Sequence, residues 1–201
     1  MHSCTNKNKK ASFKDAFFVT EMENKMELFE KTIKSEEIYH GKIFRVLKEV
    51  VELPEGKTTT RDIVKHNGGV SVIAKTEDGK IPLVGQFRKG IERVSLEIPA
   101  GKLENGEDIE ECGRRELREE TGYNAKKLTL LSSFSPTPAY CSEIIYVYEA
   151  EDLTYIGQDL DENEYLNVEF YTLDEIYDKI QSGEIIDAKT IIAVTMMKLK
   201  G

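Results

Sequence analysis

Cysteine is scarce in this chain and odd in number: Cys4, Cys112 and Cys141. Three thiols without ligand spacing build neither a disulfide framework nor a zinc site, so reduced thiols are expected. Histidine is equally rare. His2, His40 and His66 fall at no metal-ligand spacing, and each is expected to be a surface or hydrogen-bonded residue. Positive charge is in deficit, with 28 Lys and Arg against 37 Asp and Glu and a net charge of −9. That balance argues against nucleic acid as a partner, because such binding needs basic patches that neutralise phosphates. An acidic protein still handles phosphate where a metal ion screens the site. No apolar run approaches the length of a membrane span, and Ala16-Phe17-Phe18-Val19 is too short for a signal-peptide core. The expectation is therefore a cytoplasmic protein with no membrane partner. Internal repeats and low-complexity tracts are also missing.

What is present fits one domain of ordinary core size with an appended element: 201 residues, 39% of them hydrophobic. Residues 1–25 are rich in Lys, Asn and Ser with little periodicity and read as a mobile N-terminal extension. Residues 26–66 carry β-leaning runs, Ile43 to Leu47 and Val50 to Leu53, then the turn Pro54-Glu55-Gly56-Lys57 and the run Thr58 to Val64. These predict a small antiparallel sheet. It has no obvious core of its own, so a homodimer that exchanges this sheet between its subunits is expected. Residues 67–201 form the main body. Val70 to Ala74 and Ile81 to Phe87 flank the turn Glu77-Asp78-Gly79-Lys80 and predict a hairpin, with Pro82 at an edge or a strand start. Strands are expected near Lys127 to Phe134, Ile144 to Tyr148 and Asn167 to Tyr171, and helices over Leu173 to Ser182 and Ala188 to Lys200.

The densest signal is GKLENGEDIEECGRRELREETGY, from Gly101 to Tyr123. Asp108 can cap a helix, Glu111 can answer three residues later, and Gly122 can stop it. Ile109, Gly113 and Leu117 recur every four residues as a narrow packing face, while Glu116, Glu119 and Glu120 gather on another. Like charges at these spacings cost about 0.2–0.5 kcal/mol per pair, a liability that a hard cation converts into a binding site. Carboxylate oxygens suit Mg2+ or Mn2+, with the remaining positions left to water and substrate phosphate. Arg115, four residues before Glu119, can steer a carboxylate. The alternative is a solvated acidic helix held by i,i+4 pairs.

Gly101, Glu107 and the run Arg115-Glu116-Leu117-Arg118-Glu119-Glu120-Thr121-Gly122-Tyr123 resemble the signature of the Nudix hydrolases. That family cleaves nucleoside diphosphates linked to another moiety. The resemblance implies an α/β fold, a Nudix α/β/α sandwich preceded here by the small N-terminal antiparallel β-sheet. It also implies metal ligation by Glu116, Glu119, Glu120 and the Ala100 carbonyl, with Glu107 pairing Arg115 near the helix start. Outside the signature, several segments resemble the ADP-ribose pyrophosphatase branch. Pro138 stands fifteen residues beyond Tyr123, as that branch has it, although Ala139 replaces the usual glycine. Arg61 to His66, Gln86-Phe87-Arg88, Leu96 to Lys102, Asp161 to Glu164 and Asp187 to Thr190 are similar to that branch too. By resemblance, Arg88 would hold a phosphate and Glu97 would lie toward the terminal ribose. Arg61 and Asp62 would reach the adenine from the same or a partner subunit. Read from spacing alone, Glu97 among its apolar neighbours is equally an outward-facing strand residue.

The implied reaction is Mg2+-dependent attack of water on ADP-ribose, giving AMP and ribose 5-phosphate. By resemblance the proton acceptor comes from the acidic loop, Glu164 ahead of Glu162, with Glu119 on the helix as the rival; sequence order does not say which of them reaches the water. The run Asp159 to Asn163 is no calcium loop, because Glu164 stands where the tight turn needs glycine. Two alternatives stay open. One is a Nudix pyrophosphatase for a nucleotide sugar, dinucleotide polyphosphate or oxidised nucleoside triphosphate. The other is a domain that senses ADP-ribose without turnover.

Overall fold

The computed structural model describes residues 28–104, 106–160, 162 and 165–200. The expected extension over residues 1–25 lies outside the described residues, as does Glu164. Strands β1 (Lys31–His40), β2 (Phe44–Glu52) and β3 (Thr58–His66) form an antiparallel sheet in that order. The predicted turn closes β2 onto β3: the Gly56 N–H donates to the Leu53 carbonyl at 2.8 Å, and Gly56 takes a positive φ of 80°. Every residue of β1 is exposed, Ile33, Ile38 and Tyr39 included. This sheet meets the body where the Val64 N–H donates to the Tyr140 carbonyl at 2.7 Å and the Ser142 N–H to the Val64 carbonyl at 3.0 Å.

The body contains β4 (Gly69–Ala74), β5 (Ile81–Arg88), β6 (Arg93–Glu97), β7 (Ala100–Lys102), α1 (Ile109–Thr121), β8 (Tyr123–Phe134), β9 (Ile145–Tyr155), β10 (Leu166–Tyr171), α2 (Leu173–Gln181) and α3 (Ala188–Lys200). One mixed sheet has the order β7-β4-β9-β8, with β4 and β9 parallel; the other is β10-β5-β6. The predicted turn after β4 forms, with the Thr76 N–H donating to the Lys80 carbonyl at 2.8 Å. The predicted hairpin does not. β4 and β5 leave that turn into different sheets, because β4, buried along its whole length, is paired on both edges by β7 and β9. Pro82 lies one residue inside β5, opposite Phe170 of β10, ahead of the stretch of β5 that pairs with β6. It is a strand-start proline.

Alternation along β4 divides the core. Val70, Val72 and Ala74 face α1, where they pack with Cys112, Leu117, Ala125, Leu128 and Ala150. Ile73 faces the other way, into a cluster with Leu83, Ile98, Val147, Ile176, Ala193 and Val194. Helices thus cover both faces of the central sheet, an α/β/α sandwich of the predicted class. Strands β8 and β9 run past their expected ends. The polar stretch Glu149 to Tyr155 is held by its ladder with Tyr123 to Thr129 and not by its own hydrophobicity. Among the described residues, no helix is long and apolar enough to cross a membrane.

Candidate active site

Helix α1 has the predicted limits. The Asp108 carboxylate accepts the N–H groups of Glu110 at 2.9 Å and Glu111 at 3.2 Å. Gly122 closes the other end at φ 79°, where its N–H donates to the Arg118 carbonyl. A side chain at Gly122 would meet both that left-handed backbone and the Gln158 nitrogen at 2.9 Å. The packing face is set by Gly113, whose absent side chain lets the helix close on Val70 and Val72. With that face inward, Glu116 and Glu119 project toward β7.

There they line a cavity of about 470 Å3 together with Ala100, Gly101, Arg115, Gln86, Arg88, His66, Glu143 and Lys189. Helix α1 supplies its acidic wall, Glu116 and Glu119, while β5 and α3 supply the cationic Arg88 and Lys189, a combination suited to a metal–phosphate ligand. Arg115 organises the acidic wall: its guanidinium donates to Glu107 at 3.1 Å, Glu116 at 2.8 Å and Glu119 at 2.9 Å. Partial burial works against the charge on Arg115, but the three carboxylates more than offset it and hold its pKa above the ordinary value. Glu107 also accepts the Glu104 N–H at 3.0 Å. It therefore ties the loop before α1 to the helix, as predicted. Burial would raise the Glu107 pKa, and the bonds from Arg115 and the Glu104 backbone overcome that and lower it.

Glu120 is 1% exposed, and its carboxylate accepts the Ala100 N–H at 2.9 Å. That bond joins the acidic helix to β7. Gly101 matters for a steric reason, since a Cβ built on it would fall inside the Glu116 carboxylate. The backbone at 100–101 and the carboxylates of α1 thus interlock. The donor set, oxygen throughout, fits a hard divalent cation. Among the described residues, no three Asp, Glu, His or Cys side chains already converge in metal-binding geometry.

The remaining predicted residues divide clearly. Arg88 lines the cavity. Glu97, which alternation left open as outward-facing, is 3% exposed and accepts Arg88 through two bonds of 2.8 and 2.6 Å. It borders a second cavity of about 590 Å3 that shares Arg88 and Lys189 with the first. Arg61 and Asp62 do not line this chain's own cavity; Arg61 is held by Glu30 through bonds of 3.0 and 2.6 Å. Pro138 is exposed in a turn in which the Cys141 N–H donates to the Thr137 carbonyl at 3.0 Å. Ala139 there adopts no left-handed backbone, so the lack of glycine costs nothing. Glu162 is exposed in a turn and lines neither cavity.

Three participants were not singled out by sequence reasoning. His66 lines the cavity, with Nδ1 accepting the Gly68 N–H at 3.0 Å and lying 3.4 Å from Glu143. Both residues reach the site from segments remote from the signature. Lys189 donates to Glu97 from 92 positions away. Its only local sign was membership of the Asp187-Ala188-Lys189-Thr190 run. Cys112 is no nucleophile, since burial and the nearby Glu107 push its thiol up to about 12.

Residues 65–193 match the NUDIX domain. The chain belongs to the Nudix family. Residues 30–64, which include β1, β2 and most of β3, match the nucleoside diphosphate sugar hydrolase N-terminal domain. Among curated relatives, an ADP-ribose pyrophosphatase of Bacillus subtilis (strain 168) is 48% identical over 86% of this chain and 95% of its own length. A methanol dehydrogenase activator of Bacillus methanolicus is 44% identical over 85% of this chain and 94% of its own length. A crystal structure of an ADP compounds hydrolase superposes with a TM-score of 0.76 at 23% identity, covering 84% of this chain and 92% of that one. That likeness establishes the shared Nudix fold.

Proposed function

We propose that the chain hydrolyses the diphosphate of ADP-ribose to AMP and ribose 5-phosphate in a magnesium-dependent reaction. The observation that carries the reading is one cavity lined by Glu116 and Glu119 together with Arg88 and Lys189. The similarity to the Bacillus subtilis ADP-ribose pyrophosphatase supports the choice of substrate. Glu116, Glu119, Glu120 and the Ala100 carbonyl hold Mg2+, for which Mn2+ can substitute. The chemistry such an ion supplies is neutralisation of the diphosphate and a lowered pKa for the attacking water. Arg88 binds a phosphate oxygen and orients the diphosphate. Water adds to one phosphorus, the bridging P–O bond breaks, and a carboxylate takes the proton. Glu119 is the described candidate nearest that chemistry, since it lines the cavity and Glu162 does not. Burial of neither Arg61 nor Asp62 in this cavity, together with the bare face of β1, supports a homodimer. In it the N-terminal part, residues 26–66, brings the adenine contacts to the site of residues 67–201 in the partner. A cytoplasmic location agrees with the expected reduced thiols.

The test is chromatography of products after incubation with Mg2+ and a panel of ADP-ribose, ADP-glucose, NADH, diadenosine polyphosphates and 8-oxo-dGTP. Preferential release of AMP and ribose 5-phosphate from ADP-ribose, abolished by chelator and restored by Mg2+, is the expected result. Preference for another compound refutes the substrate, and tight ADP-ribose binding without products refutes the enzyme. A second reading, activation of a dehydrogenase, is favoured by the Bacillus methanolicus relative. It requires stimulation of a methanol dehydrogenase when this chain is added.

A further inference from the structure

Arg88 is asked to meet a diphosphate, yet it is already committed to Glu97. Its guanidinium makes the two-bond pair with that carboxylate, and its side chain remains 40% exposed at the cavity. A one-to-one pair of this kind is neutral overall. The negative charge of Glu97 would then oppose an incoming phosphate while it holds the arginine in place. Orientation alone therefore leaves the site short of positive charge.

The structure contains a second cation on the same carboxylate. Lys189 Nζ donates to Glu97 Oε2 at 2.5 Å, the oxygen that also accepts Arg88 Nη2 at 2.6 Å. Lys189 is 11% exposed and is held from its other side by Asp187 Oδ1 at 2.8 Å. Asp187 brings its own negative charge, which it directs at the N-terminus of α3, where the helix dipole takes it up. Its Oδ2 accepts the Thr190 N–H at 2.9 Å and the Thr190 hydroxyl at 2.6 Å. The Thr190 hydroxyl oxygen in turn accepts the Ile98 N–H at 2.9 Å, next to Glu97 in the chain. The start of α3 and the end of β6 are thereby locked together, with Lys189 pinned between them. Burial of Glu97 would raise its pKa, and the bonds and charges of Arg88 and Lys189 reverse that and lower it to about 2. The two cations together thus favour the ionised carboxylate.

We propose that Lys189 is a positioning residue for the diphosphate: it offsets the charge of Glu97, so that Arg88 stays oriented by that carboxylate and keeps its own charge for phosphate. The assignment rests on the reading of the cavity as a diphosphate site. It goes beyond that reading by placing a determinant of phosphate affinity on the C-terminal helix, remote in sequence from the acidic signature. It also explains why Glu97 is shared by two cations when one would suffice to hold it.

The experiment uses the full chain and inorganic diphosphate with excess Mg2+, read by isothermal titration calorimetry, alongside ADP-ribose kinetics and thermal melting. K189M is expected to weaken diphosphate binding about tenfold or more and to raise KM by a similar factor, with kcat changed less than about threefold. K189R, which keeps the charge, stays within about threefold of wild type. The double variant E97Q/K189M decides between charge offset and mere support. With the carboxylate's charge removed there is nothing to offset, so the double variant binds diphosphate more tightly than K189M alone. A K189M chain that binds like wild type, or a double variant no better than K189M, overturns the proposal. Should K189M not fold, the double variant carries the comparison: binding within about threefold of wild type supports the offset, and a tenfold loss overturns it. Wild-type chain that binds no diphosphate removes the site reading, and this proposal with it. Wild-type chain that binds diphosphate but spares ADP-ribose refutes only the substrate and leaves Lys189 tested.

Discussion

Two glycines near the acidic helix have opposite jobs, and alanine at each should separate them. At Gly101 a Cβ would fall inside the Glu116 carboxylate. The obstacle is the far end of a flexible side chain, so the fold can yield by swinging Glu116 away. The stability cost is one partly exposed contact with Arg115 at 2.8 Å, on the order of 1 kcal/mol or less. Against it stands about 0.4–1 kcal/mol from restricting the unfolded chain. The net change should lie within about 1 kcal/mol, or a melting shift of about 2–4 °C or less. Turnover should suffer far more, by about a hundredfold, because Glu116 leaves the cavity it lines. At Gly113 the new Cβ meets Val70 Cγ1 at 3.0 Å and Val72 Cγ2 at 3.3 Å, both held in the core. Overpacking costs about 1–3 kcal/mol, and helix propensity returns about 1 kcal/mol. G113A should therefore melt up to about 8 °C lower and turn over normally when folded. Calorimetry and ADP-ribose kinetics on the two purified variants read both quantities. Parallel losses of stability and activity in both, or wild-type turnover by G101A, would refute the reasoning.

Two other variants test the buried carboxylates. E120Q keeps an oxygen acceptor for the Ala100 N–H but removes the charge, so circular dichroism should be unchanged while ADP-ribose turnover falls about a hundredfold. Wild-type turnover would remove Glu120 from the site. Glu97, whose pKa drops from 4.5 to about 2 on folding, contributes up to about 3 kcal/mol of stability that is full above pH 4.5. A depressed pKa means that this stability is lost as pH falls toward 2. The difference in denaturant stability between wild type and E97Q should accordingly shrink over that interval; a constant difference would contradict the assigned cause.

Caps, turns and close spacings are short-range signals, and those parts of the protein are legible in its residues. Asp108 and Gly122 bound α1 because cap chemistry involves neighbours within one helical turn. Helical spacing likewise sets which way the carboxylates of α1 point, with Glu116 and Glu119 lining the cavity and Glu120 buried against the Ala100 N–H. The same holds for the turns at Gly56 and Gly79 and for α3, whose limits agree with the predicted Ala188 to Lys200. Strand partners are not local. The turn at Gly79 is correct, yet β4 and β5 separate because β7 and β9 compete for the edges of β4, and those strands lie far along the chain. The polar end of β9 forms a strand only because β8 offers it a ladder.

Within the site the division is the same. The acidic wall was determined by sequence, since one helix carries it. The cationic wall was decided by tertiary structure. Whether Glu97 faces solvent or core depends on what covers β6, and the cover is the start of α3, 92 residues on. His66 and Glu143 meet because β3 ends against the segment before β9, which no spacing rule records. Periodicity reports which residues share a face of one element; only the packing of elements decides which charges then share a carboxylate.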